Sequence, residues 1–429
     1  MATGTTLSGA FPLGSRINDR GVLEIGGCDT LELAREFGTP AYVVAEDDLR
    51  ARARTFLTAG RASDQHEVQV VFASKAFPCS AVLALFAAEG LWCDAASGGE
   101  LHLALAAGFA PERIVLHGNA KSEAELRMAL RHRVGTIVID NFDEIERLRA
   151  LIAEGALGDR PEGQGVMIRI APDVRGETHE KISTGQADSK FGFSMADAAE
   201  AIERVSAVPG LSMRGLHAHI GSQLLELDPF RRAAGELARL GDFGVLDIGG
   251  GLGVQYTEEQ PAPPSIEDYL RTLVEGVRAG GFPAEGRLLI EPGRSLCANA
   301  AVTLYTVESV KQNVSRWVAV DGGMSDNLRP MLYGASYEAQ LAGRFGDSTD
   351  CVLAGKHCES GDVIVRDARL EDPRPGDVVV TPVTGAYGFA MANNYNGVPR
   401  PPVIFCRDGD ARVVVRRESF EDLTARDVG

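Results

Sequence analysis

The first residue with a clear chemical use is a lysine that ends an apolar run. Val70–Phe77 reads Val-Val-Phe-Ala-Ser-Lys-Ala-Phe, which places Lys75 at the end of a β-branched and aromatic stretch. A lysine is costly in so apolar a setting unless its amine is used. A desolvated amine is kept partly neutral, which suits a Schiff base with a carbonyl cofactor. A lysine whose side chain extends to the surface is the structural alternative.

A second feature is the glycine-rich run Asp247–Gly253, which reads Asp-Ile-Gly-Gly-Gly-Leu-Gly. Flexible backbone of this kind can surround an anion with N–H groups. The run does not match the dinucleotide-binding spacing, because position 254 is Val254 where a third glycine is required, and it has no Walker A lysine. A cradle for a cofactor phosphate and a plain tight turn are both compatible with it.

Two histidines and a carboxylate lie near the ends of later apolar runs. His217 and His219 alternate, so they share one face of their strand. No carboxylate or cysteine stands out as a metal-binding partner for them, and we expect no metal site; a packed histidine is the structural alternative. The tetrapeptide Glu291–Arg294 ends the last run with a carboxylate and a guanidinium, for which a structural ion pair is the alternative reading.

The cysteine at position 358 has an unusual setting. Cys358 stands beside Glu359 in the polar, glycine-bounded stretch Gly355–Asp362. Buried, inert cysteines are commoner in general, but they lie in apolar surroundings. The sequence therefore marks Cys358 as a candidate functional thiol.

The elements that must position these residues alternate between short apolar runs and helix-like stretches. The runs are short and bounded by turn residues, as in buried parallel strands, and apolar residues recur at three- and four-residue spacing between them. Eight runs qualify: Val68–Lys75, Leu91–Ser97, Ile114–Gly118, Thr136–Asn141, Gly165–Pro172, Met213–Gly221, Phe243–Gly251 and Arg287–Leu296. Eight strands with helical connections predict a (β/α)8 TIM barrel over residues 40–295, whose sites form at the carboxyl ends of the strands.

The remaining chain has a different pattern. After residue 296 strand-like runs follow one another with turns between them and little helical periodicity. These runs are Thr303–Lys311, Arg316–Val320, Asp362–Arg366, Asp377–Thr381, Val403–Cys406 and Ala411–Arg417. We therefore expect a β-rich second domain made of residues 1–39 and 296–429.

Composition excludes several classes of function. Lys plus Arg number 43 and Asp plus Glu 60, which gives a formal charge of −17. So acidic a surface repels phosphate backbones and anionic membranes, so no nucleic-acid partner is expected. The seven cysteines form no C-x-x-C pair, and no signal peptide or membrane-spanning run is evident. We expect a soluble cytoplasmic protein without membrane association.

Taken together, the motifs resemble the fold type III pyridoxal-phosphate decarboxylases of the alanine racemase and ornithine decarboxylase superfamily, and within it the diaminopimelate decarboxylases. The matching segments run nearly the whole length of the chain. They are Phe72–Phe77, His179–Gly185, Ser189–Gly192, Gly215–Gln223, Asp247–Gly253, Glu291–Arg294, Asp321–Asp326, Arg329–Tyr333, His357–Asp362, Gly385–Gly388 and Asn394–Asn396. Several motifs in the order of the family are more specific than any one alone.

The resemblance implies a role for each matching residue toward pyridoxal 5'-phosphate. Lys75 would carry the cofactor, His219 would stack on its ring, and Glu291 would face the pyridine nitrogen and keep it protonated. The phosphate would be held by a larger set: Ser222, Gly249, Gly250, Gly251, the backbone of Glu291, Pro292, Gly293 and Arg294, and Tyr387 closing over it.

The resemblance also implies a substrate, meso-diaminopimelate, decarboxylated to L-lysine in the last step of lysine biosynthesis. Cys358 would reprotonate Cα after loss of CO2. The distal carboxylate would be bound by Arg294, Arg329 and Tyr333, with Tyr387 also at the substrate and Glu359 binding the distal ammonium. In this superfamily the Cys-Glu loop enters the site of a partner subunit, which implies a homodimer. Phe77 departs from the asparagine of many relatives and lies where it could alter the pocket wall.

The same motif residues distinguish between alternative functions for this chain. A paralogous decarboxylase acting on carboxynorspermidine or a carrier-linked amino acid fits the motifs, whereas ornithine has no distal carboxylate for Arg329 and Tyr333. A non-catalytic pyridoxal-phosphate carrier would have the barrel without the second domain. A racemase needs a proton-transferring base on each face of the cofactor, and the Cys-Glu motif favours decarboxylation.

Overall fold

The computed structural model describes residues 7–62, 66–174 and 189–428. Its strands, numbered in chain order, are β1 (Arg16–Ile17), β2 (Leu23–Ile25), β3 (Cys28–Asp29), β4 (Ala41–Ala45), β5 (Val68–Ala73), β6 (Trp92–Ala95), β7 (Ile114–Leu116), β8 (Thr136–Ile139), β9 (Gln164–Ala171), β10 (Phe193–Ser194), β11 (Leu211–His217), β12 (Val245–Asp247), β13 (Arg287–Ile290), β14 (Ala301–Gln312), β15 (Arg316–Val320), β16 (Gln340–Leu341), β17 (Thr349–Ala354), β18 (Val363–Leu370), β19 (Val378–Pro382), β20 (Val403–Arg407) and β21 (Asp410–Val415).

The helices of the same residues are α1 (Thr30–Phe37), α2 (Glu46–Arg61), α3 (Ser80–Glu89), α4 (Gly98–Ala106), α5 (Glu123–His132), α6 (Phe142–Ala153), α7 (Ala198–Ser206), α8 (Asp228–Ala238), α9 (Ile266–Ala279), α10 (Arg294–Cys297), α11 (Arg329–Tyr333) and α12 (Phe420–Thr424). Among the residues described, no helix combines the length and the apolarity needed to cross a membrane.

Eight parallel strands close into a barrel. The order around it is β5-β6-β7-β8-β9-β11-β12-β13, and β13 pairs with β5, for example Leu288 with Val68. Every residue of β9 is buried, as expected for a strand with one face in the barrel interior and the other under helices. The interior contains the packed side chains of Val71, Val115, Val138, Met167 and Leu289. The predicted (β/α)8 barrel and all eight of its strands are confirmed.

N-terminal capping residues define where several of the barrel helices begin. Ser97, Asn141 and Ser265 each accept a hydrogen bond from the backbone N–H three residues on, which starts α4, α6 and α9. Ser122 forms a full capping box with Glu125 at the start of α5. Because the loops before these caps follow the carboxyl ends of barrel strands, polar residues there gather on one rim.

The second part of the chain is β-rich, as predicted. Its main sheet has the order β18-β17-β15-β14-β4-β20-β21, with β19 pairing with β14 and β16, and β1, β2 and β3 form a small separate sheet. Its core joins residues from both ends of the chain, including Leu23, Val43, Leu304 and Ile404. The sequence did not reveal β17, and β4 was not recognised as part of this sheet.

The chain divides into two compact units. The barrel unit comprises Ala53–Gly253 and Pro263–Gly293, and the second unit comprises the described residues of Met1–Arg52, Val254–Ala262 and Arg294–Gly429. The sequence placed the barrel at 40–295. The difference arises at β4, whose backbone pairs with β14 and β20 and therefore belongs to the second sheet. The motif His179–Gly185 lies outside the described residues.

Candidate functional site

Lys75 lies at the carboxyl end of the first barrel strand. It occupies the single 3-10 turn Ser74–Ala76 directly after β5, with Ser74 and Ala76 buried and Lys75 itself exposed. A Cβ on Gly293 would come within 3.1 Å of Cβ of Ala73 and Ala76, so the chain at Gly293 passes close against this turn. The charge of Lys75 is one of the influences that lower the pKa of His219. The rim position expected for a reactive amine is thus observed, but the predicted desolvation of the amine is not, because the Lys75 side chain is exposed.

Glu291 follows β13 and is clamped between two imidazoles. Its Oε1 lies 2.6 Å from Nε2 of His117, and its Oε2 lies 3.2 Å from Nε2 of His217. All three side chains are buried. Burial alone raises the pKa of Glu291, but the two imidazoles outweigh it and hold that pKa well below its usual range. Glu291 is therefore an ionised carboxylate in a buried place.

The pKa values of the two histidines that flank Glu291 are shifted in opposite directions. Burial lowers the pKa of His117, but Glu291 and Asp94 outweigh burial and raise it overall, which favours the cation. Burial lowers the pKa of His217 to about 4, so it is neutral and donates Nε2–H to Glu291. Glu291 thus favours the protonated form of His117 on one side and accepts a hydrogen bond from the neutral His217 on the other.

The glycine run holds the ring of His219. The backbone N–H of Gly250 donates to Nδ1 of His219 at 3.1 Å, and the N–H of Gly249 donates to Oδ1 of Asp247 at 2.8 Å. A Cβ on Gly250 would lie 2.1 Å from the carbonyl oxygen of Glu291, and Gly251 has a φ of 118°. Burial, Lys75 and Arg169 lower the pKa of His219 well below its usual range. The imidazole of His219 is neutral, with its proton on Nε2.

Three further charged side chains of this rim were not predicted as site residues. Asp94 is the last residue but one of β6, His117 follows β7, and Arg169 lies near the end of β9. Burial raises the pKa of Asp94 to about 6, against an opposing effect of His117. The signal that could have found them was present in the sequence, because each lies at or near the carboxyl end of a predicted strand.

His117, His217, Asp247 and Glu291 place their ligand atoms within 4.8 Å of one another. The sequence offered no carboxylate partner for the histidines, and the structure supplies two of them. Both oxygens of Glu291 are already engaged by the histidines. We therefore read the four side chains as a buried cluster in which two histidines flank the ionised carboxylate of Glu291.

In the second unit, two buried arginines lie among tyrosines. Arg294 stacks with its guanidinium carbon 4.9 Å from the ring centroid of Tyr387 and also donates to Oη of Tyr256. Arg329 donates to Oη of Tyr337 at 2.6 Å. The structure thus brings the predicted Arg294 and Tyr387 together. Tyr256 and Tyr337 were not predicted.

The remaining predicted residues lie in loops and at element ends. Tyr333 is the last residue of α11, and Ser222 follows β11 in a loop; both are half-buried. Pro292 accepts the backbone N–H of Ala73 at 3.2 Å, which ties the segment after β13 to the end of β5.

Cys358 and Glu359 lie in an exposed loop of the second unit. Cys358 is the one exposed cysteine of the seven, all of which are described. Its N–H donates to Oδ1 of Asn396 at 2.9 Å. The preceding residue, His357, is buried, with Nδ1 2.7 Å from Oδ2 of Asp362. The loop thus exposes the thiol of Cys358 and the carboxylate of Glu359 next to the buried side chain of His357.

The barrel residues fit pyridoxal phosphate by the chemistry of their groups. An ionised, buried carboxylate suits a protonated ring nitrogen, a neutral imidazole suits a ring face, and a lysine suits an aldehyde. A glycine run in which a Cβ would strike backbone suits close approach of a phosphate.

Comparison with known proteins agrees with a pyridoxal-phosphate site in the barrel. A family model described as the pyridoxal binding domain of pyridoxal-dependent decarboxylases matches residues 47–298. Diaminopimelate decarboxylase of Bacillus subtilis (strain 168) is 45% identical over 96% of this chain and 97% of its own length. That of Actinosynnema pretiosum subsp. auranticum is 46% identical over 98% of this chain and 96% of its own length. The chain belongs to the diaminopimelate decarboxylase family.

A solved structure of the diaminopimelate decarboxylase family extends the match to three dimensions. The crystal structure of the enzyme from M. jannaschii in co-complex with L-lysine superimposes with a TM-score of 0.89 and 32% identity, over 97% of this chain and 98% of that one. The predicted family, enzyme class and dependence on pyridoxal phosphate are confirmed. The roles of individual residues in this family member stay predictions.

Proposed function

We propose that this protein decarboxylates meso-2,6-diaminopimelate to L-lysine and CO2, using pyridoxal 5'-phosphate, in the last step of lysine biosynthesis. Membership in the diaminopimelate decarboxylase family supports the reaction. The observation that carries the substrate assignment is the pair of buried guanidiniums, Arg294 and Arg329, held by phenols. Such a pair has the charge that a distal carboxylate requires.

The barrel unit binds the cofactor. When bound, pyridoxal phosphate withdraws electrons from the bond that breaks at the substrate Cα. Lys75 would hold the cofactor through its aldehyde with loss of water, Glu291 would keep its ring nitrogen protonated, and the neutral imidazole of His219 would lie against its ring. His117 and His217 favour the ionised form of Glu291, because both imidazoles lower the pKa of that carboxyl.

The phosphate is assigned to a smaller set than the full glycine run. Gly249 and Gly250 already donate their N–H groups to Asp247 and His219. Gly251 is therefore the glycine of this run whose N–H we assign to the phosphate. The other phosphate residues are Ser222, the backbone of Glu291, Pro292, Gly293 and Arg294, and Tyr387.

The second unit supplies the substrate and proton-transfer residues. Arg294, Arg329 and Tyr333 bind the distal carboxylate, with Tyr387 beside it, and Glu359 accepts the distal ammonium. Cys358 delivers a proton from its Sγ to the substrate Cα after CO2 has left. Because Cys358 lies in an exposed loop, its thiol is accessible to an active site formed with another subunit.

We further propose a cytoplasmic homodimer with shared active sites, built from a barrel domain of residues 40–295 and a β-rich domain of residues 1–39 and 296–429. The two compact units support the two-part division. A net charge of −17 argues against a nucleic-acid partner.

The test is CO2 release and product identity from the purified protein with pyridoxal phosphate. The substrates are meso-diaminopimelate, its LL isomer, ornithine and arginine, tested side by side. We expect L-lysine from the meso isomer alone. No CO2 from diaminopimelate, from protein that binds the cofactor, would instead favour a paralogous substrate such as carboxynorspermidine or a carrier-linked amino acid.

A further inference from the structure

Two tyrosines that no motif marked hold the two buried arginines of the second unit. Arg294 and Arg329 are 6% and 5% exposed, and Tyr256 and Tyr337 are 3% and 4% exposed. Nη1 of Arg294 donates to Oη of Tyr256, and Nη1 of Arg329 donates to Oη of Tyr337 at 2.6 Å. Each guanidinium is therefore oriented by a phenol oxygen.

Tyr256 contacts both arginines. The guanidinium carbon of Arg329 lies 4.6 Å from the ring centroid of Tyr256, while the hydroxyl of the same ring accepts from Arg294. The rings of Tyr256 and Tyr337 meet edge to face at 5.2 Å and 79°. Tyr256 thus links Arg294 and Arg329, two cations that would otherwise repel each other. The ring of Tyr337 packs against the ring of Tyr256.

The phenols orient the charge without neutralising it. A tyrosine hydroxyl is protonated at neutral pH, so it accepts a hydrogen bond from a guanidinium and leaves the positive charge in place. Burial by itself lowers the pKa of Arg329, but Tyr337 and Tyr256 outweigh burial and raise it overall. Two desolvated cations in such a setting favour an anionic ligand that binds both.

We infer that Tyr256, together with Tyr337, holds Arg294 and Arg329 as one anion-binding unit, which makes both tyrosines positioning residues that set the preference for ligands with a distal carboxylate. This inference rests on the proposed function. It concerns the carboxylate of the substrate, and it predicts discrimination between ligands that differ in that group.

The experiment compares two ligands of the holoenzyme. L-lysine retains the distal amino-acid carboxylate, whereas 1,5-diaminopentane has the same carbon chain and both amines without a carboxylate. The dissociation constants of both are measured by calorimetry for wild type, Tyr256→Phe, Tyr256→Leu and Tyr337→Phe. Tyr42→Phe is the matched control, because its hydroxyl, also buried in the second unit, donates to the carbonyl oxygen of Asp326 at 2.6 Å.

Tyr256→Phe keeps the ring against Arg329 and loses the hydroxyl at Arg294. We expect it to bind L-lysine about tenfold more weakly while binding 1,5-diaminopentane as wild type does. Tyr256→Leu loses both contacts and has the larger effect, and Tyr337→Phe has an effect like that of Tyr256→Phe. Tyr42→Phe keeps the wild-type ratio of the two constants. With meso-diaminopimelate, the Tyr256 variants raise KM more than they lower kcat.

Two results would overturn the inference. One is an unchanged ratio of the two dissociation constants in the Tyr256 variants. The other is weaker retention of pyridoxal phosphate with that ratio unchanged, which would assign Arg294 to the cofactor phosphate alone. If Tyr256→Phe does not fold, as judged by its Tm, an unchanged ratio in Tyr337→Phe overturns the inference equally. Failure of the proposed function is distinguishable, because wild type would then release no CO2 from meso-diaminopimelate.

Discussion

The backbone N–H of Gly250 donates a hydrogen bond to Nδ1 of His219 at 3.1 Å. Because Nδ1 accepts this bond, the ring carries its proton on Nε2 and is neutral. The same glycine passes so close to Glu291 that a Cβ would lie 2.1 Å from the carbonyl oxygen of that residue. One glycine therefore sets the tautomer of the proposed stacking residue and the approach of the proposed ring-nitrogen partner.

Replacing this glycine tests the relationship. Gly250→Ala displaces the backbone and breaks the bond to His219, so we expect the affinity for pyridoxal phosphate to fall by about tenfold or more. The measurement is cofactor binding to the apoprotein by fluorescence titration. Gly244→Ala is the control, since nothing lies within 4 Å of a Cβ built there. Equal cofactor affinity in the two variants would contradict the assigned role.

Lys75 is expected to bind the cofactor covalently. Lys75→Ala removes the only amine that we assign to the aldehyde, so the visible absorbance of the lysine-bound cofactor should disappear, along with nearly all turnover. The spectrum is recorded before and after borohydride reduction, and Lys311→Ala, an exposed lysine at the end of β14, serves as the control. A retained, reducible absorbance band in Lys75→Ala would contradict the assignment of Lys75 as the residue that binds the cofactor covalently.

Cys358 is expected to be the reactive thiol of the native protein. The other six cysteines are buried, and burial raises the pKa of Cys79 and of Cys297. Iodoacetamide should therefore modify Cys358 first and stop product formation while leaving the bound cofactor in place. Peptide mass spectrometry identifies the site, and Cys358→Ala should be slow and insensitive to the reagent. Full activity in Cys358→Ala would remove the thiol from the mechanism.

Shared active sites predict complementation between inactive chains. A mixture of Lys75→Ala and Cys358→Ala protein contains hybrid dimers in which one site keeps both residues. After subunit exchange, such a mixture should recover part of the wild-type activity, up to about a quarter if exchange is random and each hybrid keeps one intact site. Mass spectrometry confirms exchange. Exchange without any recovered activity would rule out the shared site.

The clamp around Glu291 predicts a pH dependence of stability. Burial lowers the pKa of His217 to about 4, below the usual value of about 6.5. A depressed histidine pKa contributes stability that is present above the unfolded value and is lost as the pH falls from about 6.5 toward 4. Relative to wild type, His217→Asn should therefore gain on the order of 2–3 kcal/mol of unfolding free energy between pH 7.5 and pH 4.5.

The measurement is urea unfolding of the apoproteins at both pH values. His102→Asn, at an exposed position on α4, is the control. The neighbours His117, Asp247 and Glu291 remain in both proteins, so the difference reports the titration of His217 together with its effect on the pKa of Glu291. A difference between His217→Asn and wild type that is the same at both pH values would refute the assigned charge state.

Much of the fold followed from the pattern of the chain. All eight barrel strands were recognisable because buried parallel strands are short continuous apolar runs, and the helices between them carry amphipathic spacing. The boundary at β4 was not recognisable, since a buried strand has the same composition in either sheet. Only its pairing with β14 and β20 places it in the second unit.

Some residues of the candidate site were likewise recognisable from the sequence, and others were identified only in the structure. Lys75, His219, Glu291 and the glycine run were evident from residue type at the ends of predicted strands, because covalent chemistry and close backbone approach demand particular residues at particular spacings. His117, Tyr256 and Tyr337 carry no such signature. Their roles depend on distances to partners that no motif connects with them, such as the 2.6 Å between His117 and Glu291. Those distances, and the charge states that follow from burial, exist only once the chain has folded.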